Sequence, residues 1–125
     1  MGKKNILFIS NGYGDSPVIS GGEVRLYNLI KHFSLKFEQS FLTTRGGLIS
    51  VKNNKIDSRF KTIYTSKNRL LGLKEITGFQ RLIGYFISAF DSVKIMKSGS
   101  RDAVYTSTDY FCDIYPSYKY KRTNP

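Results

Sequence analysis

Residues 5–10, Asn5-Ile6-Leu7-Phe8-Ile9-Ser10, form an unbroken apolar run that closes at Asn11-Gly12. A strand with apolar side chains pointing both ways has no solvent face, so other elements must cover it on both sides. That requirement selects the central strand of a parallel sheet with helices above and below it. The remainder of the chain has to supply those covers.

The next segment, residues 11–22, is rich in Gly, Ser, Asn and Pro and reads as a long loop, a length usually kept for function. From Glu23 the period changes, and Leu26, Leu29, Ile30 and Phe33 fall at i, i+3, i+4 and i+7 of a helix. Phe37 to Thr44 reads as a second strand, with Arg45-Gly46-Gly47 as the turn after it. Leu48–Val51 and Arg59–Thr65 read as short strands around the polar turn Asn53-Asn54-Lys55, followed by a basic connection over 66–78. Phe79 to Lys97 is an amphipathic helix whose stripe of Phe79, Leu82, Ile83, Phe86, Phe90 and Val93 is expected to face the core. Asp102 to Thr106 is a short strand, and Thr108-Asp109 caps a last helical segment, Tyr110 to Tyr120, that continues through Pro116.

This order predicts a single α/β domain over residues 1–125, a Rossmann-like three-layer fold with a mostly parallel sheet. Right-handed crossovers from a first central strand give the strand order 3-2-1-4, so the winding reverses beside the first strand. Ligands of such sheets bind at that reversal. Its rim comprises the loop after Ser10, with Gly12 and Gly14, and the segment Thr106-Ser107-Thr108-Asp109.

Composition removes several function classes. The single cysteine, Cys112, makes an internal disulfide impossible, and no Cys/His spacing suits zinc. The first apolar run is shorter than the core of a secretion leader, and no stretch reaches the ~20 apolar residues of a membrane span, so a cytoplasmic protein is expected. Twenty Lys+Arg against nine Asp+Glu give a net charge of +11, spread evenly along the chain. Such dispersion fits a solvated basic surface; a phosphate-rich partner is the alternative.

Catalytic candidates are few. His32 lies near the end of the first helix, away from the crevice, and reads as a surface or packing residue, while Cys112 has no histidine partner and reads as an inert buried thiol. Asp15 and Asp109 stand near the crevice, where turn and cap roles suit them equally well. Gly12-x-Gly14 begins like a dinucleotide fingerprint, but Pro17 occupies the third glycine position. Ser20-Gly21-Gly22 has two readings: glycine amides at a helix start that accept a phosphate, or a turn that merely begins the helix. Arg45, at a strand end, is either an anion contact or a solvated side chain.

Asn5-Ile6-Leu7-Phe8-Ile9 with its glycine-rich loop, Ser20-Gly21-Gly22-Glu23-Val24-Arg25-Leu26-Tyr27-Asn28-Leu29, and Ala103-Val104-Tyr105-Thr106-Ser107-Thr108-Asp109-Tyr110 together resemble the N-terminal domain of family 4 glycosyltransferases. The resemblance covers nearly the whole chain. It implies the GT-B architecture, in which two Rossmann-like domains face a cleft, the first holding the acceptor and the second most of a nucleotide sugar. It also implies that Gly21 and Gly22 approach the donor diphosphate. The family's N-terminal domain runs on through further strands into a C-terminal domain, so an incomplete, acceptor-side portion of a retaining glycosyltransferase is expected. Such a portion is inactive alone unless a partner chain supplies the second domain.

The expected partners are a nucleotide sugar, as substrate, and a glycan or lipid-linked acceptor, with no cofactor and no metal. The residues expected at the donor diphosphate or substrate are Gly12, Gly14, Ser20, Gly21, Gly22, Arg45, Thr106, Ser107 and Asp109, and no catalytic residue is assigned. Two readings without catalysis stand beside this one. The basic balance and the Phe79–Lys97 helix suit peripheral contact with the cytoplasmic membrane face, and the charge alone suits a nucleic-acid-binding module, though no recognition motif supports the latter.

Overall fold

The first strand, β1 (Asn5–Ser10), is central, as its composition demands. The structure is a computed structural model that describes residues 2–12, 21–67, 77–108 and 110–125. Leu7, Phe8 and Ile9 of β1 are fully buried, each contributing about 2–3 kcal/mol of burial free energy. β1 pairs in parallel with β2 (Glu38–Thr43) on one side and with β4 (Ala103–Thr106) on the other; β3 (Thr62–Thr65) extends the sheet beyond β2. The strand order is β3-β2-β1-β4, all parallel, as the sequence predicts.

Alternation along β1 divides the interior into two layers. Ile6 and Phe8 join Phe41 of β2 in a core cluster with Leu26, Tyr27 and Ile30 of α1 (Gly21–Phe33) and Val51 of α2 (Arg45–Asn53). Leu7 and Ile9 point the other way, toward Leu42 and Met96, with Val104 and Tyr120 packed against them. α3 (Gly78–Met96) and α4 (Phe111–Thr123) cover this second face and pack on each other. Helices on both faces of a parallel sheet complete a Rossmann-like three-layer arrangement.

Two sequence expectations are corrected. Leu48–Val51 is not a strand: it lies in α2, which begins directly after β2 instead of after a turn at Arg45-Gly46-Gly47. The physical reason is a cap and a close approach. The extended Thr44 accepts the Gly47 N–H on its side chain at 3.2 Å, and a Cβ at Gly47 would overlap the Thr43 side chain, so the glycine lets the helix turn tightly against the strand it leaves. The expected polar turn is the exit from this helix, where Lys55 takes a positive φ of 55°.

The second correction concerns α3. A capping box starts the helix, Thr77 and Gln80 each accepting the other's backbone N–H, so its position agrees with the sequence reading. Its orientation does not. Gly84, Ser88, Ala89, Ser92 and Met96 are buried, whereas Phe79, Leu82, Ile83, Phe86 and Phe90 of the apolar stripe are exposed. Small residues on the inner face let α3 approach the rest of the molecule closely, and the inner Ser92 hydroxyl has a buried partner in Asn11.

The tight start of α2 yields a prediction. Gly47→Ala must push Thr43, whose hydroxyl donates to the Ser10 carbonyl at 2.7 Å, and should lose about 1–3 kcal/mol in urea unfolding. Gly21→Ala, with nothing within 4 Å of the added Cβ, should stay within about 0.5 kcal/mol of the parent.

Candidate functional site

Because the strands are all parallel, their C-terminal ends share one edge, and the winding reverses there between β1 and β4. The chain leaving β1 at Asn11-Gly12, the start of α2 and the chain leaving β4 at Ser107-Thr108 all lie at this edge.

Asn11 closes the end of β1. It is 1% exposed, and its backbone N–H donates to Asp113 Oδ1 at 2.6 Å. Its side-chain Nδ2 donates to the Cys112 carbonyl at 2.9 Å and to Ser92 Oγ at 3.0 Å. The first of these bonds depends on a proline. In α4 the carbonyl of Cys112 would normally accept the N–H four residues on, but that residue is Pro116, which has none. The freed carbonyl is taken by Asn11, so the irregularity in α4 is satisfied by the sheet.

Asp113 gathers the rest of the edge. Its carboxylate also accepts from the Thr108 hydroxyl and the Gly12 N–H, and Thr108 Oγ1 in turn accepts the Tyr110 N–H at 3.3 Å. Burial pushes the carboxyl up from 3.8 to about 6, against the hydrogen bonds from Thr108, Asn11 and Gly12 that favour its charged form. Ser107 ties β4 to β1, donating to the Ile9 carbonyl through both N–H and Oγ at 3.1 Å. A Cβ at Gly12 would overlap the Tyr110 ring, so this glycine is required by the packing of the α4 start. Asn11 Oδ1 is a buried acceptor with no hydrogen-bond partner.

The residues expected at the site are thus brought together in part. Gly12, Thr106 and Ser107 meet at the β1–β4 junction, with Thr106 and Ser107 half-buried. Gly21 and Gly22 are the first residues of α1, the next element after β1. Arg45 stands one strand away, exposed, as the first residue of α2 and not in a turn. Gly14, Ser20 and Asp109, with Asp15, lie outside the described residues. Cys112 is fully buried, and His32 is exposed in the last turn of α1.

Sequence reasoning missed Asn11, Asp113 and Pro116 as partners. The N-cap of α4 is Tyr110, with no side-chain cap bond, and not the Thr108-Asp109 pair expected from the sequence; Asp113 in the first turn was the signal for part of this, since carboxylates are favoured there. A second cluster was also missed. Ser50 of α2 donates to Glu23 Oε1 of α1 at 3.2 Å, and Tyr27 lies 2.7 Å from the same Ser50 hydroxyl. Burial, and to a smaller degree the Glu23 charge, push the Tyr27 phenol up to about 12, so it stays protonated as a hydrogen-bonding strut between the helices.

Chemically, the edge presents backbone amides and hydroxyls, while the buried carboxyl of Asp113 is occupied by three donors. Such a set orients and binds. Among the described residues no group of three or more His, Cys, Asp or Glu is placed to hold a metal ion, and no helix is long and apolar enough to cross a membrane. Comparison with family models, curated proteins and solved structures returned no match to this chain.

The raised Asp113 carboxyl predicts a pH dependence. Its folded state holds the proton more tightly than the unfolded chain, so the stability linked to this group is complete below about 3.8 and lost as pH rises through about 6. Asp113→Asn should abolish that slope, and the parent should weaken relative to the variant by about 2–3 kcal/mol between pH 4 and pH 7 in urea unfolding.

Proposed function

We propose that this protein is the acceptor-side, Rossmann-like portion of a nucleotide-sugar-dependent retaining glycosyltransferase. The observation that carries the reading is the reversal of winding between β1 and β4, the position at which open parallel sheets take ligands. The fold alone hosts many functions. The resemblance of residues 20–29 and 103–110 to family 4 glycosyltransferases is what narrows it to sugar transfer.

In this reading the exposed Gly21 and half-buried Gly22 at the α1 start face the donor diphosphate, with bare amides and the positive end of a helix. Ser107 and Thr106 line the acceptor side, and Arg45 meets outlying negative charge. The donor sugar and its nucleotide are held mainly by a second domain or partner chain, and turnover requires it. A single free, buried Cys112 suits the reducing cytoplasm, where this reading places the protein.

The test is a backbone amide NMR titration with UDP and GDP. The expected result is shifts centred on Gly21, Gly22, Glu23, Gly12 and Ser107, with a Kd on the order of 1 mM or weaker, because one helix start supplies most of the contact. Gly21→Asp should weaken binding about fivefold or more while leaving the fold intact, since an acidic residue suits a helix N-terminus but repels a diphosphate. Shifts spread over the basic surface, insensitive to Gly21→Asp, would contradict the reading.

A further inference from the structure

We infer that the outward face of α3 and α4 is a docking surface for an anionic lipid bilayer, an inference independent of the glycosyltransferase reading. The large apolar residues of α3 face outward: Phe79 is 72% exposed and Phe90 52%, while Leu82, Phe86 and Ile87 are also exposed. The surface does not stop at the edge of α3. Phe86 meets Phe111 of α4 at 5.0 Å between ring centroids, Phe90 meets Tyr115 at 5.6 Å, and Phe111 stacks on Tyr115 at 5.0 Å. Ile114 and Tyr118, the latter 54% exposed, carry the patch further along α4. Soluble proteins seldom leave a contiguous apolar patch of this kind on two adjacent helices without an occupant.

Charge selects the occupant. Among the described residues, α3 and α4 carry only two acidic groups, Asp91 and Asp113; Asp113 is buried, and Asp91 accepts the Lys67 backbone N–H at 2.6 Å. The rim of the patch is basic. Lys67 and Lys94 border the groove beside Phe86 and Phe90, Lys119 lies over the Tyr115 ring, and Arg122 lies over the Tyr118 ring. A second copy would bring an identical basic rim against this one, and each copy carries a net charge of +11. An anionic bilayer complements both parts, taking the aromatic and aliphatic side chains at its interface and the lysines and arginines at its headgroups.

The test uses the whole chain in cosedimentation with vesicles of phosphatidylcholine alone and of phosphatidylcholine mixed with phosphatidylglycerol. The expected result is binding to the anionic vesicles that falls steeply with salt. Brominated lipid should quench the tyrosine fluorescence of the bound protein. Phe86→Ser with Phe90→Ser should reduce partitioning about tenfold or more; because these half-exposed rings also pack on Phe111 and Tyr115, the more exposed Phe79→Ser, which should reduce partitioning with the unfolding midpoint held, separates lost docking from lost packing. Lys119→Glu with Arg122→Glu should weaken binding to the anionic vesicles alone. Absence of binding at low salt would overturn the inference. So would a concentration-dependent dimer in sedimentation that Phe86→Ser with Phe90→Ser dissolves while vesicles remain unbound, which would make the face an interface between copies.

Discussion

Asn11 donates its backbone amide to a buried carboxylate and its side-chain amide to a carbonyl that Pro116 has left free. Three parts of the chain far apart in sequence meet there: the end of β1, the inner face of α3 through Ser92, and the start of α4 through Cys112 and Asp113. Each group alone would be a liability. A proline inside a helix exposes a carbonyl, a buried aspartate needs donors, and a serine on an inner helix face needs a partner. Joined, they satisfy one another, and the candidate site sits on the junction they make.

The two faces of the sheet are covered in different ways. Toward α1 and α2 the core is built from large side chains, including Phe8, Phe41, Ile30 and Val51. Toward α3 and α4 it contains fewer large groups, because α3 turns its small residues inward and α4 buries Cys112, Asp113 and Pro116. Hydrogen bonds take over there some of the specification that apolar volume supplies on the other face. The consequence is external: the aromatic residues that a conventional helix would have placed against the sheet are left at the surface.

The layered fold was legible in the sequence because it rests on strong local signals. The apolar run of β1 admits only a central position, and the periodicity of Leu26, Leu29, Ile30 and Phe33 admits only a helix. The α2 region was misread because Leu48–Val51 is too short for its period to decide, and Thr44 and Gly47 act through a cap and a close approach that spacing does not reveal. The α3 stripe was correctly found and wrongly oriented, since periodicity identifies an apolar face and leaves open what it faces. At the site, Gly12 and Ser107 were legible from the topology of the strand ends. Asn11, Asp113 and Pro116 were not, because their roles come from contacts across about a hundred residues of chain.

The β1–β4 edge and the apolar face both adjoin the junction built on Asn11, and the account depends on that junction persisting in solution. Native-state hydrogen exchange at the Asn11 amide tests this most directly. An amide donated to the buried Asp113 carboxylate should exchange only with global unfolding, as slowly as the β1 amides of Phe8 and Ile9. Exchange orders of magnitude faster than those neighbours, at the rate of an open loop, would contradict the account.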